Sequence, residues 1–117
     1  MKKYQTKAKL FQLGKGVAKY YRTNVKGNVD APINLIQRKL TRNIMLAYRV
    51  NEKHYIYGNL HIFVDGNTII GLVNARKRLK GFIKDWNKYE WLNELLGIRE
   101  LERELNSKGD INHETNL

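Results

Sequence analysis

The sequence predicts a small α+β fold, an antiparallel sheet with helices packed on it, and three observations carry that reading. Residues 55–80, YIYGNLHIFVDGNTIIGLVNARKRLK, read as a β-meander that runs into a dense basic cluster. An apolar stripe at helical spacing precedes it, Ile33, Ile36, Leu40, Ile44 and Ala47. Two further apolar patterns follow it, around Phe82 and around Leu92. At 117 residues with 42% hydrophobic content, one domain with a modest core is expected.

The meander is the centre of the prediction. Asp65-Gly66 signals a two-residue hairpin turn, because both central residues of a type I′ turn need positive φ. That turn pairs Val64 with Asn67, Ile62 with Ile69 and Leu60 with Gly71. It puts Leu60, Ile62, Val64, Ile69 and Val73 on one face and His61, Phe63, Ile70 and Leu72 on the other. A hairpin apolar on both faces implies a sheet covered on both sides. Tyr48–Val50 and His54–Tyr57 read as the strands before it, around Asn51-Glu52-Lys53.

The N-terminal 26 residues interleave eight basic side chains with Tyr4, Phe11, Tyr20 and Tyr21. Gly14-Lys15-Gly16 marks either a turn between two strands, residues 9–13 and 17–22, or a break in a helix, and the hairpin is the preferred reading. Two glycines within three residues cost a helix about 2 kcal/mol relative to alanine. Asp30 reads as an N-cap and Pro32 as a first-turn residue of a helix over residues 31–47. After the meander, Asn74 is placed to cap a helix whose stripe is Leu79, Phe82, Ile83 and Trp86. Asp85 restarts a helix that Gly97 ends, and Trp86 and Leu95 are expected in the core. Ile98, Leu101 and Leu105 mark an acidic amphipathic helix. The domain is expected to span residues 1–105, with 106–117 a flexible tail. A second fold reading is a winged helix, with residues 31–47 reading a groove and 59–73 as the wing.

Charge narrows the function. The chain carries 22 Lys+Arg against 11 Asp+Glu, a net charge of +11. Residues 1–84 hold 18 basic and 3 acidic side chains, whereas residues 85–117 hold 4 basic and 8 acidic. A basic body with an acidic end predicts a polyanion partner, DNA or RNA, bound mainly through phosphates. The candidate nucleic-acid-binding residues are Arg38, Lys39 and Arg42 on the helix and Arg76, Lys77, Arg78 and Lys80 after the meander. Lys15, Lys19 and Arg22 join them from the N-terminal segment. A protein partner is the other expectation, docking on Trp86 to Leu105. No apolar run reaches the ~18 residues of a membrane span, and a cytoplasmic location is expected. The richness in Lys, Asn, Ile and Tyr suggests an AT-rich bacterial or mobile-element origin.

Several chemistries are poorly served. The absence of cysteine removes disulfides, thiolate zinc sites and thiol nucleophiles together. His54, His61 and His113 lack metal-ligand spacing, so neither a metal nor a cofactor is expected. The one serine, Ser107, sits near the C-terminus. What remains is His61 among Tyr55, Tyr57, Arg76, Arg78 and Lys80. A ribonuclease that uses the RNA 2′-hydroxyl as nucleophile needs only an acid, a base and cations. The alternative catalytic set is therefore His61, Arg76 and Tyr57.

The order helix, β-meander and Arg-Lys-Arg resembles small domains of the RelE/BrnT-type ribonuclease toxin superfamily. A group of these carries a helix with His-x3-Arg-x3-Arg-x-Ile before strands that end in a hairpin. Arg38-x3-Arg42-x-Ile44 and the strands from Tyr55 to Val73 match that pattern over about residues 33–78, with Asn34 in place of the histidine. The resemblance implies an α+β fold and, as an alternative to plain binding, metal-independent endoribonuclease activity.

Overall fold

The structure, a computed structural model, describes residues 9–115, with side chains to residue 107. Tyr4 and the rest of residues 1–8 lie outside the described residues, as do residues 116–117. In chain order the elements are β1 (Gln12–Leu13), α1 (Val17–Asn24), α2 (Ile33–Leu46), β2 (Tyr48–Asn51) and β3 (His54–Tyr57). Then come β4 (Leu60–Asp65), β5 (Thr68–Asn74), α3 (Trp86–Leu95) and α4 (Ile98–Thr115). The described strands form one sheet in the order β1-β5-β4-β3-β2. The α+β expectation holds, with a small sheet packed against helices.

The hairpin lies in the middle of that sheet, flanked by a strand on each side, so it is no wing. Its turn is displaced by one residue from the predicted one. Asp65 pairs with Thr68, leaving Gly66-Asn67 as the central residues. Only Gly66 has positive φ, at 60°, which is the type II′ pattern. Val64 pairs with Ile69 but Phe63 pairs with Gly71, so Ile70 is an extra, bulged residue. The bulge turns Ile70 outward and carries Leu72 onto the buried face beside Ile62. The core face is therefore Leu60, Ile62, Val64, Ile69 and Leu72. Its other face, with His61, Phe63 and the exposed Ile70 and Val73, is not the covered face expected.

Three helices supply the opposite wall of the core. Val17 and Tyr21 come from α1, Leu35, Ile36, Leu40 and Ile44 from α2, and Ile98 and Leu101 from α4. Truncating a side chain such as Ile36 or Ile62, neither accessible to solvent, costs about 2–5 kcal/mol. Helix α2 starts at Ile33, with Pro32 rather than Asp30 at the cap position, and Ile33 itself points out to solvent.

Three segments depart from the sequence reading. Residues 17–22 belong to a helix, not a strand. Gly14 and Gly16 both lie before α1, with Gly16 in the left-handed conformation at its cap, so neither weakens it. Strand β1 pairs parallel with β5, which makes the sheet mixed. It is clipped to α2 as well: Thr41 Oγ1 accepts from Phe11 N at 3.1 Å, and Gln37 Nε2 donates to Phe11 O at 2.8 Å. Residues 75–85 form a loop where the pattern predicts a helix. Ala75 N bonds Asn59 O and Leu79 N bonds Gly58 O, both at 2.8 Å, so this backbone is spent on the β3–β4 turn instead of an i to i−4 ladder. Ile83 and Trp86 are consequently exposed, at 86% and 64%, and Leu95 is exposed too. Asp85 does cap α3, accepting from Lys88 N at 3.0 Å. Helix α4 continues to Thr115, through residues 106–115 expected to be tail.

Gly14 marks the closest approach of β1 to the hairpin. A Cβ there would lie 2.7 Å from Ile69 O, a backbone atom that cannot step aside. Gly14→Ala is expected to destabilise by about 1–3 kcal/mol, as overpacking does. Gly71→Ala, where the added Cβ meets nothing within 4 Å, serves as the control. Thermal denaturation of the two variants checks this, and equal melting temperatures would contradict it.

Candidate nucleic-acid interface

A cleft of about 550 Å³ opens where the C-terminal end of α1, the middle of α2, the β3–β4 turn and the 75–85 loop meet. Its cationic lining is Lys26, Lys39, Arg42, Arg78 and Lys84, against one lining carboxylate, Glu102, among the described residues. Asn28, Asn43, Asn59 and Asn74 add amides, and Tyr57 and Tyr89 add rings. Cations concentrated in a concave site focus the field and attract anions.

Arg42 forms the floor and is 6% exposed. Its Nε and Nη2 both donate to Asn43 Oδ1 at 3.0 Å, and Nη1 donates to Asn93 Oδ1 at 2.8 Å. The guanidinium also stacks 4.6 Å from the Tyr89 ring centroid. All these partners are neutral. Beneath it, burial pushes the Tyr21 phenol up to about 12 against the opposing pull of Arg42, so Tyr21 stays protonated at neutral pH. Lys39 Nζ donates to Asn28 Oδ1 at 3.0 Å and lies 3.6 Å from Glu102. Glu102 in turn accepts from Arg99 at 2.8 Å, and Arg99 reaches Glu90 at 2.9 Å, tying α4 to α3. The hydrogen bond from Arg99 holds Glu90 below the usual carboxylate range. Lys84 Nζ sits over the rings of Trp86 and Tyr89 at 4.4 Å each, and of Tyr57 at 5.3 Å.

The predicted residues divide three ways. Lys39, Arg42 and Arg78 line the cleft, and Arg76, Lys77 and Lys80 are exposed on the loop beside it. Arg38 and Arg42 do share a face, but that face is turned onto α3. There Arg38 Nη1 donates to Leu96 O at 2.7 Å, filling the carbonyl at the end of α3. Arg22 is also tethered, with Nε donating to Ala31 O at 2.8 Å. Lys15 and Lys19 are exposed at the turn before α1 and on α1, away from the cleft lining. Sequence reasoning missed Lys26, Lys84, Asn28, Asn43 and Tyr89. Only the charge excess of residues 1–84 signalled Lys26 and Lys84, and nothing local marks the asparagines.

His61, Arg76 and Tyr57 are not brought together. Tyr57 packs toward the core side and lines the cleft, and Arg76 is exposed on the loop. His61 pairs with Ile56 on the opposite face. There it shares a hydrogen bond with His54, Nε2 to Nδ1 at 2.9 Å, and the His54 ring stacks on Phe63 at 4.5 Å. Among the described residues no group of three or more His, Cys, Asp or Glu could hold a metal ion, and no helix is long and apolar enough to cross a membrane.

The family model YorE matches residues 11–95, from the start of β1 to the end of α3. The chain belongs to the YorE family. Every lining residue of the cleft except Glu102 falls inside the YorE span. The chain is also similar to small ribosomal subunit protein uS15 of Prochlorococcus marinus. Strain MIT 9312 is 36% identical over 58 residues, 47% of this chain and 65% of that protein. Strains AS9601 and MIT 9301 are each 34% identical over 58 residues with the same coverage. The chain therefore spans about 65% of the length of these curated relatives. No solved structure matches.

Two outcomes follow from this arrangement. Arg38→Met removes a charge-assisted bond to a partly buried carbonyl and is expected to cost about 1.5–3 kcal/mol in denaturant melts. Arg76→Met, at an exposed position, is expected to fall within about 0.5 kcal/mol of the parent, and the reverse order would contradict the division of roles. His54 has its pKa lowered, first by desolvation and then by the charge of His61. The folded state thus binds that proton less readily than the unfolded state does. Stability from His54 is present above the ordinary histidine pKa of 6.5 and lost as pH falls through the lowered value. Melting temperature is expected to fall from pH 7 to pH 5 in the parent and to fall less in His54→Gln. Identical pH slopes would contradict this.

Proposed function

We propose that this chain is a nucleic-acid-binding protein of accessory type, acting on RNA through phosphate contacts in the cleft and along the 75–85 loop. The single observation that carries the reading is the cation excess of the cleft around a buried arginine whose hydrogen-bond partners are neutral amides. Sequestering a guanidinium from water costs roughly several kcal/mol, and neutral amides return only part of that. Such a site is poised for an anion. Arg76, Lys77 and Lys80, exposed beside it, extend the positive surface along which a backbone can run. The likeness to a protein of the small ribosomal subunit, an RNA-containing particle, favours RNA over DNA.

The mechanism is electrostatic. Each phosphate that a lysine or arginine neutralises releases condensed counterion, so log K falls with log salt by about 0.7 per contact on single strands. Fluorescence anisotropy with single- and double-stranded RNA and DNA, across a salt series, tests it. RNA binding with a steep negative slope is expected. Arg76→Gln combined with Lys77→Gln is expected to weaken every probe severalfold and to make the slope shallower by about one to two units. A flat salt response, or unchanged affinity in that variant, would contradict the reading. Probe ends are read in the same samples: intact probes accord with binding alone, and cut RNA would transfer the site to an endoribonuclease.

A further inference from the structure

The floor of the cleft differs from a surface that merely tracks a backbone. Arg42 is held from behind by Asn43, Asn93 and Tyr89, so its orientation is set before any ligand arrives. Glu102 is already engaged by Lys39 and Arg99, which leaves Lys26, Arg78, Lys84 and Arg42 without an ion pair among the described residues. Of this preformed concentration of positive charge Arg42 is the buried member, and Lys26 and Arg78 are exposed, all lining one cleft of about 550 Å³, within the size range of small-ligand pockets.

A phosphodiester inside a strand carries one negative charge and needs a path in and a path out. A terminal phosphate monoester carries about 1.5 to 2 negative charges near neutral pH and needs only a path in. The excess of cations over the one lining carboxylate, with the buried Arg42 among them, matches the second. Aromatic rings complete the fit: Tyr57 and Tyr89 line the cleft, and their faces already hold the Lys84 ammonium. Such ring faces are surfaces on which a nucleobase can stack in place of the ammonium.

We infer that the cleft receives the phosphorylated end of a single strand, the terminal monoester against Arg42, Lys39 and Lys26 and the terminal base against Tyr57 and Tyr89. This inference rests on the nucleic-acid reading above and adds end recognition to it. The chemistry is that of a terminal phosphate monoester, whether at a 5′ or a 3′ end.

The test uses the full chain and single-stranded RNA of one sequence in three forms: both ends hydroxyl, 5′-phosphate, and 3′-phosphate, each labelled away from the modified end. At fixed salt, one phosphorylated form is expected to bind at least about tenfold tighter than the hydroxyl form, and which one identifies the end. A nucleoside monophosphate is expected to compete away that advantage, and Arg42→Met to abolish it. Because Arg42 is buried, Lys26→Ser provides a surface variant, expected to shrink the preference severalfold while its circular dichroism matches the parent. Equal affinity for all three forms, with salt-sensitive binding intact, would overturn end recognition and leave the nucleic-acid reading standing. No binding to any form would overturn both.

Discussion

A guanidinium buried with neutral partners constrains everything around it. Arg42 reaches Asn43 on its own helix and Asn93 on α3, and it lies against the ring of Tyr89. Those contacts require α3 to cross α2 closely, and Arg38 secures the crossing one turn earlier by bonding the carbonyl of Leu96. Gly97, with φ of 72°, then lets the chain reverse so that Ile98 and Leu101 enter the core. The charge pair Arg99–Glu90 ties α4 to α3, Arg99–Glu102 continues the network along α4, and Lys39–Glu102 returns it to α2. One polar seam thus both fixes the helical layer and builds the floor of the cleft.

The sheet supplies the other wall. The type II′ turn at Gly66-Asn67 and the bulge at Ile70 together bring Ile62, Val64, Ile69 and Leu72 onto the face that α1 and α2 cover. With that face fixed, the β3–β4 turn lands at the cleft edge, where Gly58 and Asn59 take the backbone of the 75–85 loop. The loop in turn carries Arg78, Phe82 and Lys84 over the opening. Phe82 meets Tyr57 edge-on at 5.6 Å between centroids, which anchors the loop near its middle. Position, not composition, turns a scatter of lysines and arginines into a site.

The elements that local patterning governs were legible. The α2 stripe, the β2 to β5 meander and the Asp85 start of α3 all follow from spacing, turn residues and a capping side chain. The failures are long-range in origin. Nothing within residues 75–85 signals that their amides bond the β3–β4 turn, so the stripe of Leu79, Phe82 and Ile83 read as a helix. The bulge at Ile70 is a one-residue irregularity that reverses which face later residues occupy, and an ideal two-residue turn hides it. The glycines at 14 and 16 count against a helix only in its interior, and both lie before it, one for close approach to Ile69 and one for a left-handed cap. At the site, Lys39, Arg42 and Arg78 were legible as cations, but the burial of Arg42 was not. Asn28, Asn43 and Tyr89 come from separate elements and carry no local signature.

The cleft built on Arg42 is the surface proposed to take the anion. Backbone amide shift mapping of the ¹⁵N-labelled protein, titrated with a short single-stranded RNA, tests it most directly. The largest perturbations are expected at Lys26, Asn28, Asn43, Gly58, Asn59 and Tyr89, which line the cleft. Perturbations confined instead to the His54, His61 and Phe63 face of the sheet would contradict it.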